Sequence, residues 1–271
     1  MRIALLQLRT PATQEAALAH AEPLVREAAA GGARLIATPE ATNILQRDRQ
    51  VLATRLKTAD EDIAVGGLRA LARELGVWVL VGSALVRRDD GKAANRSILV
   101  DPDGGVATTY DKIHMFDVDL PTGERIREST LYEPGERLAI AKAAEARVGL
   151  TVCYDVRFPA VFQALARGGA EILTVPSAFT VPTGQAHWEV LLRARAIETG
   201  SFVLAPSQGG EHEDGRRTFG HSMIVDPWGE VLAQAEGDAP GVLFADLDLA
   251  AVGRARAAIP ALANARAFVG P

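Results

Sequence analysis

Cys153 is the only cysteine among the 271 residues of the chain. It ends an apolar run, VGLTV, and opens a polar turn that leads to Phe158 and Pro159. A lone thiol at that place cannot close an internal disulfide. It is either a small buried residue or a nucleophile. A free thiol has a pKa near ~8.5, so attack at neutral pH needs a base or a cation beside it. Glu40 could take the thiol proton. Lys112 could stabilise the thiolate and then the oxyanion that forms on attack. The backbone N–H of Tyr154, the next residue, is a natural second oxyanion donor. Glu128, further along, could position Lys112 or orient a substrate amide. Taken singly, Glu40, Lys112 and Glu128 read equally well as solvated charges, and Cys153 as an inert buried thiol. Spacing alone does not choose.

The elements around these residues give them a common setting. Residues 3–8 read as a buried strand, and 13–30 as an alanine-rich helix stopped by Gly31 and Gly32. A short strand, 35–37, ends at Thr38-Pro39-Glu40. Residues 46–59 are polar and weakly patterned. Residues 60–75 read as a helix with Leu68, Leu71, Ala72 and Leu75 on one face and Gly76 as its stop. Residues 77–81 form a strand apolar on both faces. Residues 95–100 and 106–110 flank an Asp-Pro-Asp-Gly turn and predict a hairpin that delivers Lys112. Residues 113–138 are polar, rich in Gly and Pro and without a period; a loop of that length is usually functional.

The second half repeats the mixture. Strand 148–152 presents Cys153, and helix 159–167 follows with Pro at its start. Then come strand 172–175, helix 186–199, strand 202–205, a hairpin of 223–226 with 230–234, strand 242–246 and a loosely helical tail, 250–271. Helical crossovers and hairpins together predict an α/β layered sandwich with mixed sheets, in one domain spanning 1–271. Glu40, Lys112 and Cys153 then each lie just past the C-terminal end of a strand, the edge where α/β sheets bind ligands.

Composition narrows the classes. Charged residues make up 23% and the net charge is −5, with Lys and Arg spread along the chain. No nucleic-acid surface is expected. One cysteine points to a reducing compartment, and a cytoplasmic location is expected. The N-terminus reads as a strand and not as a signal peptide. No apolar run approaches the roughly 18 residues of a membrane span. His114, His187 and His221 show no paired metal-ligand spacing, so no metal is expected and structural hydrogen bonding is.

Three stretches carry a resemblance. They are Pro39-Glu40; Tyr110-Asp111-Lys112-Ile113-His114; and Gly149 through Asp155 with Arg157-Phe158-Pro159. In order and separation they resemble the three signature blocks of the nitrilase superfamily of carbon–nitrogen hydrolases. Phe116-Asp117-Val118, Glu128-Ser129, Pro134-Gly135, Pro176 through Phe179, Thr183 through Glu189, Arg193 through Glu198, His221-Ser222-Met223 and Asp226 through Gly229 agree with it.

The resemblance implies a four-layer α-β-β-α sandwich, no metal or organic cofactor, and a homodimer to which the helices after Cys153 and His187 contribute. By motif position Cys153 resembles the nucleophile, Glu40 the general base, Lys112 the oxyanion stabiliser and Glu128 an additional active-site glutamate. The implied reaction is amide hydrolysis through a thioester. Ser177-Ala178-Phe179 and residues 186–195 are similar to the Nit branch, which acts on deaminated glutathione. The ω-amidase branch, acting on α-ketoglutaramate, is close beside it. Hydrolysis of N-carbamoyl amino acids or nitriles, and a retired hydrolase serving as a binding partner, are the alternatives. A carboxylate-bearing substrate calls for a cation, and Arg157 is the candidate. Phe116, Ser177 and Phe179 are expected at the substrate. Arg193 and Arg195 read as ion-pair or interface residues.

Overall fold

The structure is a computed structural model describing residues 1–120 and 123–270. The first strand already sorts the molecule into layers. In β1 (Arg2–Gln7), Ile3 and Leu5 enter one core while Ala4 and Leu6 enter another, as the two-residue period of a strand requires. The Ala4–Leu6 side packs under α1 (Gln14–Ala30), which buries Ala21, Val25 and Ala28. Thr13 caps α1, accepting from the N–H of Ala16. After β2 (Leu35–Ala37) comes a short helix, α2 (Arg49–Arg55), in the segment whose polarity hid it. Then α3 (Ile63–Leu75) lays Leu68 and Leu71 beside α1 and stops at Gly76, which adopts φ 65°, a left-handed cap that suits glycine.

The first sheet is completed by β3 (Trp78–Arg87), β4 (Ala93–Val100) and β5 (Val106–Asp111). β1, β2 and β3 are parallel, and β4 and β5 follow antiparallel. β3 runs six residues beyond the expected 77–81, past a register shift between Val81 and Ala84. Gly82 sits at that shift. A Cβ there would lie 1.8 Å from the Thr38 carbonyl oxygen, so glycine lets β3 pass directly under the turn that carries Glu40.

The expected long loop is partly structured. It folds a small hairpin, β6 (Asp117–Asp119) with β7 (Arg125–Arg127), and a 3-10 turn over Glu128–Thr130; residues 121 and 122 lie outside the described residues. Next come β8 (Ala139–Ala143), β9 (Ala146–Leu150), α4 (Pro159–Arg167), β10 (Ile172–Thr174), α5 (Val181–Thr199) and β11 (Phe202–Ala205). The edge strand β8 was illegible because alanine has little strand preference. α5 starts earlier than residue 186. Gly184 weakened the helical signal there, yet it is needed: a Cβ would lie 2.2 Å from the Phe219 side chain.

A short hairpin, β12 (Gly209–Glu211) with β13 (Arg217–Phe219), precedes β14 (Met223–Val225), β15 (Val231–Gln234) and β16 (Gly241–Asp246). The second sheet has the order β15-β14-β11-β10-β9-β8, while β16 returns to the first sheet beside β1. α6 (Ala250–Ala258) and α7 (Ala261–Asn264) form the tail, whose residue 271 lies outside the described residues. The inner faces meet in one core: Ile3, Leu5, Leu80 and Leu99 from the first sheet with Val148, Leu150, Leu173 and Leu204 from the second. α4 and α5 cover the second sheet, burying Phe162, Leu165, Leu192 and Ala196. The order of layers is α-β-β-α, as expected.

Candidate active site

The strand ends of both sheets converge on one cavity. The Glu40 turn is clamped to β3: the N–H groups of Thr38 and Thr42 reach Leu80 O and Ser83 O at 2.9 and 2.8 Å. Lys112 leaves β5 with its N–H on Asn95 O at 2.9 Å. Cys153 opens a 3-10 turn, Cys153–Arg157, and gives its N–H to Pro176 O at 2.9 Å. Its φ is 48°, a left-handed conformation that costs a side chain about 1–3 kcal/mol and clusters at functional sites. That bend turns the thiol out of the strand line.

Asp155 fixes this turn against the other sheet. It is fully buried. Its Oδ2 accepts from the Tyr110 hydroxyl at 2.8 Å and the Val152 N–H at 2.9 Å. Its Oδ1 accepts from the His114 N–H at 3.1 Å and lies 2.8 Å from His114 Nδ1. The His114 ring stacks on Phe158 at 3.5 Å between centroids. His114 is therefore a structural hydrogen bonder, and the Tyr110–His114 block holds Lys112 in place relative to Cys153.

Inside the cavity, Lys112 Nζ donates to Glu40 Oε1 at 3.1 Å and to both oxygens of Glu128 at 2.9 and 2.8 Å. Glu40 Oε1 also accepts from Asn95 Nδ2 at 2.8 Å, and its Oε2 from the Ala178 N–H at 2.9 Å. Asn95 Nδ2 reaches Glu128 Oε1 as well, at 3.2 Å. The Phe116 N–H donates to Glu128 Oε2 at 2.6 Å. Sequence reading missed Asn95 and the Ala178 N–H. The signal for Asn95 was a side-chain amide in an otherwise buried strand, since buried polar groups are the informative ones. The Ala178 amide carries no residue-type signal.

Two charges oppose one at this site, and that sets the protonation of the thiol and the amine. Burial alone would discharge Lys112, but Glu128, then Glu40 and Cys153, more than offset it and hold the amine well above its ordinary range. Burial first, then the Glu40 charge, push the Cys153 thiol well above its usual range, with Lys112 pulling the other way. Burial and the Glu40 charge both favour the thiol form, so attack on a carbonyl would need a proton acceptor, and the Glu40 carboxyl lines the same cavity.

The Tyr154 N–H finds no acceptor among the described residues, leaving it available to an oxyanion. Phe116 packs edge-on to Tyr154 at 5.0 Å, and Phe179 to Trp188 at 4.8 Å. Both rings line the cavity, which measures about 830 Å³. Arg157 lines it too, 5.6 Å from the centre of the Phe179 ring and 5.9 Å from that of Tyr154. Its two terminal nitrogens lie 3.3 Å from His187 Nδ1, and no carboxylate pairs with it among the described residues.

Ser177 departs from expectation. It is fully buried, gives its hydroxyl to Val175 O at 3.0 Å and does not reach the cavity wall; its neighbour Ala178 does. The strand-end backbone needs that hydroxyl. Arg193 pairs with Glu189 at 3.1 Å, and buried Arg195 pairs with Glu198 and braces the Cys153–Arg157 turn through Val156 O at 2.9 Å. His221 Nδ1 lies 2.6 Å from Phe219 O, outside the catalytic group.

An α-β-β-α sandwich that gathers a thiol, two carboxylates and an ammonium at its strand ends has the equipment of nucleophilic acyl transfer. Residues 2–257 match the family described as carbon-nitrogen hydrolase, and the chain belongs to that family. It is 40% identical over 267 residues to deaminated glutathione amidase of Yersinia enterocolitica, a match covering 97% of this chain and 92% of that one. Its fold is similar to the Caenorhabditis elegans NitFhit protein, with a TM-score of 0.90 and 33% identity over 98% of this chain; the match spans 65% of NitFhit. It is also similar to an amidase from Nesterenkonia sp. AN1, with a TM-score of 0.82 and 27% identity over 98% of this chain and 94% of that one. The Nesterenkonia structure shows covalent addition of the acetamide moiety of fluoroacetamide at that protein's active-site cysteine. Among the described residues no helix is long and apolar enough to cross a membrane.

Proposed function

We propose that this carbon–nitrogen hydrolase is a cysteine-dependent amidase, with Cys153 as nucleophile, Glu40 as general base and Lys112 with the Tyr154 N–H as oxyanion donors. The observation that carries the reading is geometric: Cys153, Glu40, Lys112 and Glu128 line one cavity, with Lys112 Nζ donating to Glu40 Oε1 at 3.1 Å and to Glu128 at 2.8 Å. As sulfur attacks the amide carbonyl, Glu40 takes the thiol proton. The C=O electrons move to oxygen, where Lys112 and Tyr154 meet them. Two of the three Lys112 contacts go to one carboxylate, Glu128, so one N–H can swing to the oxyanion while Glu128 still holds the amine. Collapse breaks the C–N bond, Glu40 protonates the leaving nitrogen, and a thioester remains. Water, deprotonated by Glu40, attacks the thioester, and the carboxylic acid leaves as the thiol is restored.

The substrate we propose is deaminated glutathione. The Yersinia relative's name supports it, as does Arg157, a cation at the cavity wall without a carboxylate partner among the described residues. α-Ketoglutaramate is the second reading, since the same arginine suits its carboxylate. A kinetic comparison of the two decides: kcat/KM is expected to be higher for deaminated glutathione, and the reverse order assigns the ω-amidase reading. We propose further that residues 1–271 form one catalytic domain in a cytoplasmic homodimer. The single core shared by the two sheets supports the first part. The pairing of two copies is supported by Val190, Ile197, Trp228 and Ile259, each at least 54% exposed on or beside α5 and the tail.

A further inference from the structure

Six arginines line the cavity, and the protein uses half of them itself. Arg47 pairs with Glu124 at 3.4 Å and Arg125 with Asp119 at 3.3 Å. Arg49 donates to Arg127 O at 2.7 Å and contacts Thr130. The remaining three, Arg157, Arg216 and Arg217, have no carboxylate partner among the described residues. Arg157 and Arg216 come from different elements. Arg157 lies over Tyr154 and Phe179, on the side of the nucleophile turn. Arg216 lies in the β12–β13 turn and lines the cavity, and Gln208, just before β12, donates its Nε2–H to Glu40 O at 2.8 Å. The hairpin that carries Arg216 therefore starts beside Glu40.

The turn that carries Arg216 is built, not loose. His212 N–H donates to Arg216 O at 2.8 Å, Gly215 N–H to His212 O at 2.9 Å, and Arg216 N–H to Asp214 Oδ1 at 2.9 Å. The hairpin is stitched to both sides of the fold, with Gly209 N–H on Leu8 O at 2.8 Å and Phe219 N–H on Phe179 O at 2.9 Å. A half-buried guanidinium on a fixed turn, facing a cavity and unpaired, is a site for an anion. Which part of the substrate it meets follows from the chemistry. The leaving nitrogen must face Glu40, which protonates it, and the Arg216 hairpin is anchored on Glu40 through Gln208.

We infer that Arg216 forms a second anion subsite, one that binds a carboxylate on the amine portion of the substrate while Arg157 holds a carboxylate on the acyl portion. This rests on the amidase reading above. It makes the preferred substrate a dianionic secondary amide whose leaving group is an amino-acid or peptide carboxylate, and it gives a reason for a cavity of about 830 Å³, larger than a primary amide of five carbons needs.

The test compares deaminated glutathione with the same compound carrying a C-terminal glycinamide in place of the glycine carboxylate. Acyl product is followed in wild type, Arg216→Gln and Arg216→Lys. Wild type is expected to favour the carboxylate by about 10-fold in kcat/KM, the size of one charge-assisted hydrogen bond. Arg216→Gln is expected to bring that ratio to near one, chiefly through KM, and Arg216→Lys to keep part of it. A ratio near one in wild type, or the same ratio in wild type and Arg216→Gln, overturns the subsite and leaves the amidase reading standing. Cleavage of α-ketoglutaramate but of neither peptide amide overturns both the deaminated glutathione assignment and the subsite.

Discussion

Lys112 is where the electrostatics of the site meet. A fully buried ammonium is unfavourable by itself, and it persists because Glu128 and Glu40 surround it. Glu128→Gln removes the largest of the charges that sustain it. Burial then weighs more, the Lys112 pKa falls, and the cation proposed to stabilise the oxyanion is lost at lower pH than in wild type. The alkaline limb of the kcat profile is expected to move to lower pH, with kcat down roughly 100-fold, the loss typical of a disturbed oxyanion donor. An alkaline limb that stays in place would show that Glu128 does not govern Lys112. At this scale the sequence was a good guide to chemistry and a poor one to support. Glu40, Lys112, Glu128 and Cys153 stood out because their types and signature blocks point to one reaction, and the structure brings them to one cavity. Asn95 was not, because an amide that bridges two carboxylates looks in sequence like any polar residue in a strand. Ser177 misled for the opposite reason: it sits in a matched block, yet its hydroxyl is spent on Val175 O.

Among the elements, the turn of Cys153–Arg157 and the end of β5 must be held in register across two sheets. Asp155 does this with four donors' worth of contacts from Tyr110, Val152 and His114. Asp155→Ala would leave the Tyr110 hydroxyl and two backbone N–H groups without their acceptor in a buried place. Each such orphan costs about 1–3 kcal/mol, so chemical denaturation is expected to show a loss of about 3 kcal/mol or more. Tyr110→Phe, which removes a single bond, should lose less. A loss below about 0.5 kcal/mol in Asp155→Ala, the scale of an ordinary surface change, would mean that the two sheets are not tied there. Sequence reading found most of the parallel core strands because they are continuous apolar runs. It lost β8, the early turn of α5 and the continuation of β3 past Gly82. In each, alanine or glycine removed the side-chain pattern, and at Gly82 and Gly184 the glycine is there because another group occupies the space of a Cβ.

For the molecule as a whole, the two sheets and their helices could be foreseen from the mixture of crossovers and hairpins, and the layer order from the family blocks. The exposed apolar residues on and beside α5 could not, since exposure is decided by packing that no single helix encodes. If that face joins two copies, the protein will sediment as a dimer, and Ile197→Glu with Trp228→Asp will shift it toward monomer. Sedimentation of wild type as a monomer at micromolar concentration would rule the proposed dimer out. The central claim concerns Cys153, and it is tested most directly by rapid acid quenching during turnover of deaminated glutathione, followed by peptide mass spectrometry. The peptide containing Cys153 is expected to gain the mass of the acyl portion, and Cys153→Ser to show neither this thioester nor wild-type turnover. An acyl group found on another residue, or undiminished hydrolysis in Cys153→Ser, would contradict it.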